Sequence, residues 1–123
     1  MKHYGEYPEN WKLIARTTKD AANWRCIRCK AEHDRRDWTI LTVHHLDGNK
    51  SNCRWWNLLA LCQRCHLSIQ GRVDPNMPYI FEHSEWFKPY AAGYYAFKYL
   101  NEELTRAQAL ARIDELLALE QLA

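Results

Sequence analysis

Long hydrophobic runs are missing from this chain. No stretch of its 123 residues approaches the roughly 20 apolar residues that a membrane-crossing helix needs. The opening decapeptide, MKHYGEYPEN, is polar and lacks the apolar centre of a signal peptide. The expectation is a protein that acts where it is made, in the cytoplasm, where thiols stay reduced and five cysteines are not read first as disulfides. Internal repeats and low-complexity tracts are also lacking, so solenoids and disordered linkers are excluded. A strong charge of one sign is lacking too, since 17 Lys and Arg against 15 Asp and Glu leave +2.

The balance is uneven along the chain. Residues 1–100 carry 15 basic and 10 acidic side chains, a difference of +5, whereas residues 101–123 carry 2 and 5, a difference of −3. A basic body with an acidic tail permits a polyanionic partner, although a normally solvated surface explains this charge equally well. The length is that of one domain with a modest core, which gains from a staple.

Periodicity and turn signals give the element order. Residues 9–22, ENWKLIARTTKDAA, read as a helix with Trp11, Ile14, Ala15, Thr18 and Ala22 along one face and an exit at Asn23-Trp24. Residues 38–44, WTILTVH, are β-branched and aromatic and read as a strand, followed by the Asp47-Gly48 turn signal. NLLALC (57–62) reads as a second strand and QRCHLSIQG (63–71) as a short helix ended by Gly71. A helix is expected over 87–104, weakened by Gly93. A last one begins at Thr105, with Gln108 placed for a capping box and Leu110, Ile113, Leu116 and Leu117 as its apolar stripe. That stripe is expected to dock on the body, with self-association into a dimer as the alternative. The fold class is α+β: a small core at 24–73, an N-terminal helical segment at 1–23 and a C-terminal helical extension at 74–123.

Two identical knuckles carry the first chemistry. Cys26-x-x-Cys29 and Cys62-x-x-Cys65 stand 32 residues apart and supply four thiolates, the set that tetrahedral Zn²⁺ prefers. Four protein ligands leave no open position, so the zinc is read as structural. Cys53 has no partner in this scheme and reads as a small packing residue.

The histidines remain. His44 and His45 end the first strand, and His66 directly follows Cys65. A hairpin with a helix across its face can bring the strand end and His66 together, giving a second metal position with few protein ligands and access to water. His3, His33 and His83 read as surface or hydrogen-bonded residues.

In VHHLDGNKSN and NLLALCQRCH, with Asn57 twelve and His66 twenty-one positions after His45, the chain resembles the HNH nuclease family, also called His-Me finger or ββα-metal, in its cysteine-containing branch. The resemblance covers roughly residues 24–73. The flanking helices resemble, more weakly, those of small phage and prophage HNH proteins, which would place the protein in a bacterial host cell. The resemblance implies His45 as the general base that activates water, His44 and His66 as ligands of one catalytic divalent ion, and Asn57 as the brace of the histidine loop. It implies hydrolysis of DNA to 5′-phosphate and 3′-hydroxyl ends. Where some members carry a third histidine ligand, this chain has Gln70, whose amide is a poorer ligand. A sparse shell suits magnesium or manganese, while two imidazoles also admit nickel or zinc.

Nine cations against four acids between residues 25 and 72 favour a phosphate backbone. Lys50, Arg54, Arg64 and Arg72 are the candidate nucleic-acid contacts. Trp55 and Trp56 are expected in the core before any contact with nucleic acid. No recognition helix is evident, so modest sequence preference is expected. The alternative function is a non-cleaving, zinc-stapled DNA-binding or adaptor subunit of a phage packaging or recombination complex, with a terminase or another DNA-processing protein as partner.

Overall fold

The computed structural model describes residues 5–36, 39–70 and 84–122. Helix α1 spans Trp11–Ala21, strand β1 Leu41–His45 and strand β2 Leu58–Cys62. Helix α2 spans Gln63–Gln70, α3 Lys88–Leu100, α4 Arg106–Ala111 and α5 Ile113–Leu117, with a closing 3₁₀ turn at Ala118–Leu122. Among the described residues no helix is long and apolar enough to cross a membrane.

The two strands form an antiparallel hairpin with Leu41 opposite Cys62 and His45 opposite Leu58. All five residues of β2 are buried, which is why its sequence reads as a continuous apolar run. The first strand begins three residues later than the sequence suggests, at Leu41. Its start is held by His33, whose Nδ1 accepts the Leu41 amide at 2.8 Å. His33 is thus a hydrogen-bonded structural residue, as expected.

Helix α1 packs on the hairpin but has no fully buried residue. It leaves through two consecutive left-handed residues, Asn23 (φ 56°) and Trp24 (φ 54°). That conformation is unusual for a bulky side chain, and here the Trp24 indole N–H donating to Asp20 at 2.7 Å helps to hold it.

One core joins the hairpin to the C-terminal extension. Cys26, Leu41, Leu59, Leu61 and Ile69 pack with Phe87, Tyr90 and Tyr95. Trp56 is buried, and Trp55 donates its indole N–H to the Leu104 carbonyl at 2.8 Å, so both tryptophans are structural. Gly93 gives α3 its close approach to them. A Cβ there would lie 2.7 Å from Trp55 Cζ2 and 2.9 Å from Trp56 Cδ1. The glycine that weakens the helix in isolation is the one that packing requires.

Helix α3 ends at Asn101 in the left-handed region, with the Glu102 amide returning to the Ala96 carbonyl at 3.0 Å. The capping box is present: Thr105 Oγ1 accepts the Gln108 amide and Gln108 Oε1 accepts the Thr105 amide. The single final helix expected from the sequence is instead broken at Arg112 (φ −120°, ψ 25°), which ion-pairs with Glu102 and Glu115. The break changes the helical phase. Ala109 and Leu116 are buried against Ala92 and Ala96, whereas Leu110 is 44% exposed and leaves the expected stripe.

Candidate metal centre and histidine site

The sulfur site is assembled from a loop and a strand–helix junction. Residues 25–32 form a tight knuckle closed by an Arg25–Glu32 bridge, and the Ile27 amide bonds to the Ala60 carbonyl of β2 at 3.0 Å. Cys62 is the last residue of β2 and Cys65 lies in the first turn of α2. The two knuckles are built alike: the Cys29 amide donates to Cys26 Sγ and the Cys65 amide to Cys62 Sγ, each at 3.5 Å. All four sulfurs lie within 4.8 Å of one another. Cys29 Sγ and Cys62 Sγ are 3.7 Å apart, close to the edge of about 3.8 Å in a tetrahedron of Zn–S bonds of about 2.3 Å.

Electrostatics agree with the geometry. Burial pushes the Cys65 thiol up to about 12 and raises Cys62 as well. Burial opposes ionisation of Cys29 too, but hydrogen bonds from the Ala31 backbone and the neighbouring thiols outweigh it and bring that group down to about 7. The Arg28 guanidinium favours the ionised form of Cys65 against its burial, and Cys62 and Cys29 favour the charged form of Arg64. Four gathered sulfurs are costly to ionise together without a cation, and a thiophilic dication fits this donor set. The cluster is consistent with structural zinc.

The sulfur cluster also fixes the histidine that follows it. His66 sits on α2 one residue after Cys65, and its ring centroid is 4.3 Å from that of His44. Thr42, two residues before His44, shares that strand face; its Oγ1 donates to the Leu61 carbonyl and lies 3.5 Å from His66 Nδ1.

His45 is differently placed. Ladder pairing stays regular to the end of β1, His44 opposite Leu59 and His45 opposite Leu58, so alternation turns the two imidazoles to different sides. His45 is 4% exposed and lies against Trp11 (ring centroids 4.8 Å apart) and Tyr7 (5.9 Å), with its Nε2 3.8 Å from Cys53 Sγ. The sequence reading missed Tyr7 and Trp11 here. The only signal available was Trp11 on the apolar face of α1, which did not say what that face covers.

Asn57 spans the loop between the strands. Its Nδ2 donates to Asp47 Oδ1 and to the Asn52 carbonyl, both at 2.9 Å, and its Oδ1 accepts the Asp47 amide at 3.1 Å. Asp47 in turn accepts the Asn49 amide and the Asn52 side chain. Gly48, at φ 80°, makes the turn that returns its amide to the His45 carbonyl. Asp47 and Asn52 are loop-holding residues that sequence reasoning did not single out, although an Asp-Gly turn with nearby asparagines was a usable signal.

The candidate cations are dispersed. Lys50 holds its ammonium 5.0 Å over the Tyr7 ring. Arg54 bonds Glu103 at 2.7 Å and Asn52 at 3.2 Å, and lies 4.2 Å over Phe97. Arg64 faces the sulfur cluster. Arg72 and His83 lie outside the described residues, as do His3 and the side chain of Gln70.

Comparison with known proteins gives one local similarity. The Zorya protein ZorE of Escherichia coli is 37% identical over 60 residues, which are 49% of this chain and 16% of ZorE. The chain thus spans less than a fifth of the length of the relative it matches. No protein-family profile matches the sequence. No solved structure matches it either.

Proposed function

We propose that this chain is a metal-dependent endonuclease of the HNH kind, acting on DNA phosphodiesters. The observation that carries the reading is the His44–His66 pair, 4.3 Å between ring centroids, at the end of a hairpin whose loop is tied by Asn57. Zinc on the four cysteines would lock α2 to the hairpin and so hold His66 in register. His44 and His66 would hold a divalent ion, magnesium or manganese being favoured because two imidazoles leave most of the shell to water. That ion, when bound, supplies stabilisation of negative charge on the phosphate and on the departing 3′ oxygen. His45 takes the proton of the attacking water; an imidazole whose ordinary pKa is near 6.5 suits that work at neutral pH. The P–O3′ bond breaks as the new P–O bond forms, leaving 5′-phosphate and 3′-hydroxyl ends. A shared stretch that fills only 16% of ZorE is the pattern of a module used within larger proteins, which makes a DNA-processing partner part of the proposal.

The burial of His45 beneath Trp11 and Tyr7 favours a second reading, a zinc-stapled DNA-binding module that does not cleave. Supercoiled plasmid separates the two. Protein purified with its zinc is incubated with magnesium, manganese, nickel or no added ion, beside His45→Ala and His66→Ala. Metal-dependent nicking by the wild type is expected, with His45→Ala slower by about 10²- to 10⁴-fold. Equal nicking by His45→Ala removes the base assignment, and an unchanged metal titration in His66→Ala removes its ligand role. Binding without cleavage by the wild type selects the second reading.

A further inference from the structure

The N-terminal segment, outside residues 24–73, builds a ladder of rings on the candidate site. Tyr7 is 51% exposed and stacks on Trp11, with centroids 5.0 Å apart and planes inclined by 27°. Trp11 in turn lies 4.8 Å from His45. The Lys50 ammonium stands 5.0 Å from the Tyr7 ring. The ladder is tied to the histidine loop: Gly5, at φ +77°, passes so close to Asn49 that a Cβ there would collide with its Oδ1.

We infer that Tyr7 is a stacking platform for one unpaired nucleobase, with Lys50 taking the adjoining phosphate. This deepens the nuclease reading and rests on it for the nature of the strand. The chemistry of the pair selects the occupant. An exposed aromatic ring backed by a second ring offers a rigid apolar face, and the ammonium beside it requires an anion one side chain away. A nucleotide carries both complements. A paired base has its faces covered by neighbours, so the occupant is a single strand, a flap or an extruded base.

Magnitudes permit the exchange. A cation over an exposed ring contributes roughly two- to fivefold in an equilibrium. A base stacked on an aromatic side chain contributes roughly five- to a hundredfold. The base therefore displaces Lys50 from the ring, and the long lysine stem lets the ammonium move to phosphate.

The test is fluorescence anisotropy with the zinc-containing protein and no added divalent ion, the strands being checked afterwards for integrity. The probes are a 15-nucleotide oligothymidylate, an abasic strand of the same length and charge, and a blunt duplex. The wild type should prefer the oligothymidylate to the abasic strand. Tyr7→Ala should lose about tenfold on oligothymidylate and nothing on the abasic strand, while Tyr7→Phe keeps the preference. Lys50→Gln should lower the salt slope by about one phosphate contact on both strands. Equal affinity of the wild type for the two strands overturns the proposal. So does an equal loss by Tyr7→Ala on both, or faster plasmid nicking by Tyr7→Ala with unchanged binding, which would make the ladder a cover for His45. Base-dependent binding with no plasmid cleavage would leave the platform standing and remove only the nuclease reading.

Discussion

Replacing Asn57 by alanine should unfold the histidine loop before anything else in the molecule. Its side chain is fully buried, and three of its hydrogen bonds hold the loop, one of them to the Asp47 carboxylate. A hydrogen bond to a charged partner contributes about 1.5–3 kcal/mol and a neutral one about 0.5–1.5 kcal/mol. The three do not simply add, because Asp47 engages in two of them, so a loss of about 3–4 kcal/mol is expected. Against a total stability of about 5–15 kcal/mol that loss leaves the protein folded, by about 1–12 kcal/mol. In urea, with a slope of about 1.5 kcal/mol per molar, the midpoint should fall by about 2 M with the slope unchanged. Asn57→Asp should rescue nothing at neutral pH, because it sets a second carboxylate where Nδ2 now meets Asp47 Oδ1 at 2.9 Å. Equilibrium denaturation followed by tryptophan fluorescence checks both variants. A midpoint shift for Asn57→Ala corresponding to less than about 1 kcal/mol, or an Asn57→Asp variant as stable as the wild type, would refute the energetic account of the loop.

Two further substitutions probe the packing and the sulfur cluster. Gly93→Ala gains about 1 kcal/mol of helix propensity but drives a methyl into the rigid rings of Trp55 and Trp56. Overpacking of about 1–3 kcal/mol should win, and a thermal melt that rises rather than falls would show that α3 shifts freely away from the tryptophans. Cys26→Ser should lose bound zinc, measured by metal release to a chromogenic chelator, together with the cooperative unfolding transition; a variant that keeps one zinc per chain and its melting temperature would rule out the four-cysteine site.

Local spacing made several parts of the molecule legible in advance. Paired Cys-x-x-Cys knuckles could be read in advance because each places two sulfurs on one side of a short turn, and two such turns make up the four-thiolate set that zinc prefers. The apolar run at 57–62 was consistent with a buried strand, and residues 58–62 form one, paired antiparallel with β1. Thr105 and Gln108 form their capping box because the contact is made within four residues and needs nothing distant.

What the sequence left open depends on partners far away in the chain. The last helix breaks at Arg112, and that break, rather than the leucine spacing, sets Ala109 and Leu116 against the distant Ala92 and Ala96 and leaves Leu110 exposed. Arg54, a basic residue beside the candidate site in sequence, is held by Glu103 across 49 residues. Gly93 looks like a weak point of its helix until Trp55 and Trp56 are set against it.

The same division runs through the two adjacent histidines. Their presence at a strand end was written in the sequence by itself. The resemblance already set His44 with His66; that the other ring lies under Trp11 was decided by tertiary structure alone, because a period of two gives each strand face a separate neighbour and only the packing of α1 says which neighbour His45 meets.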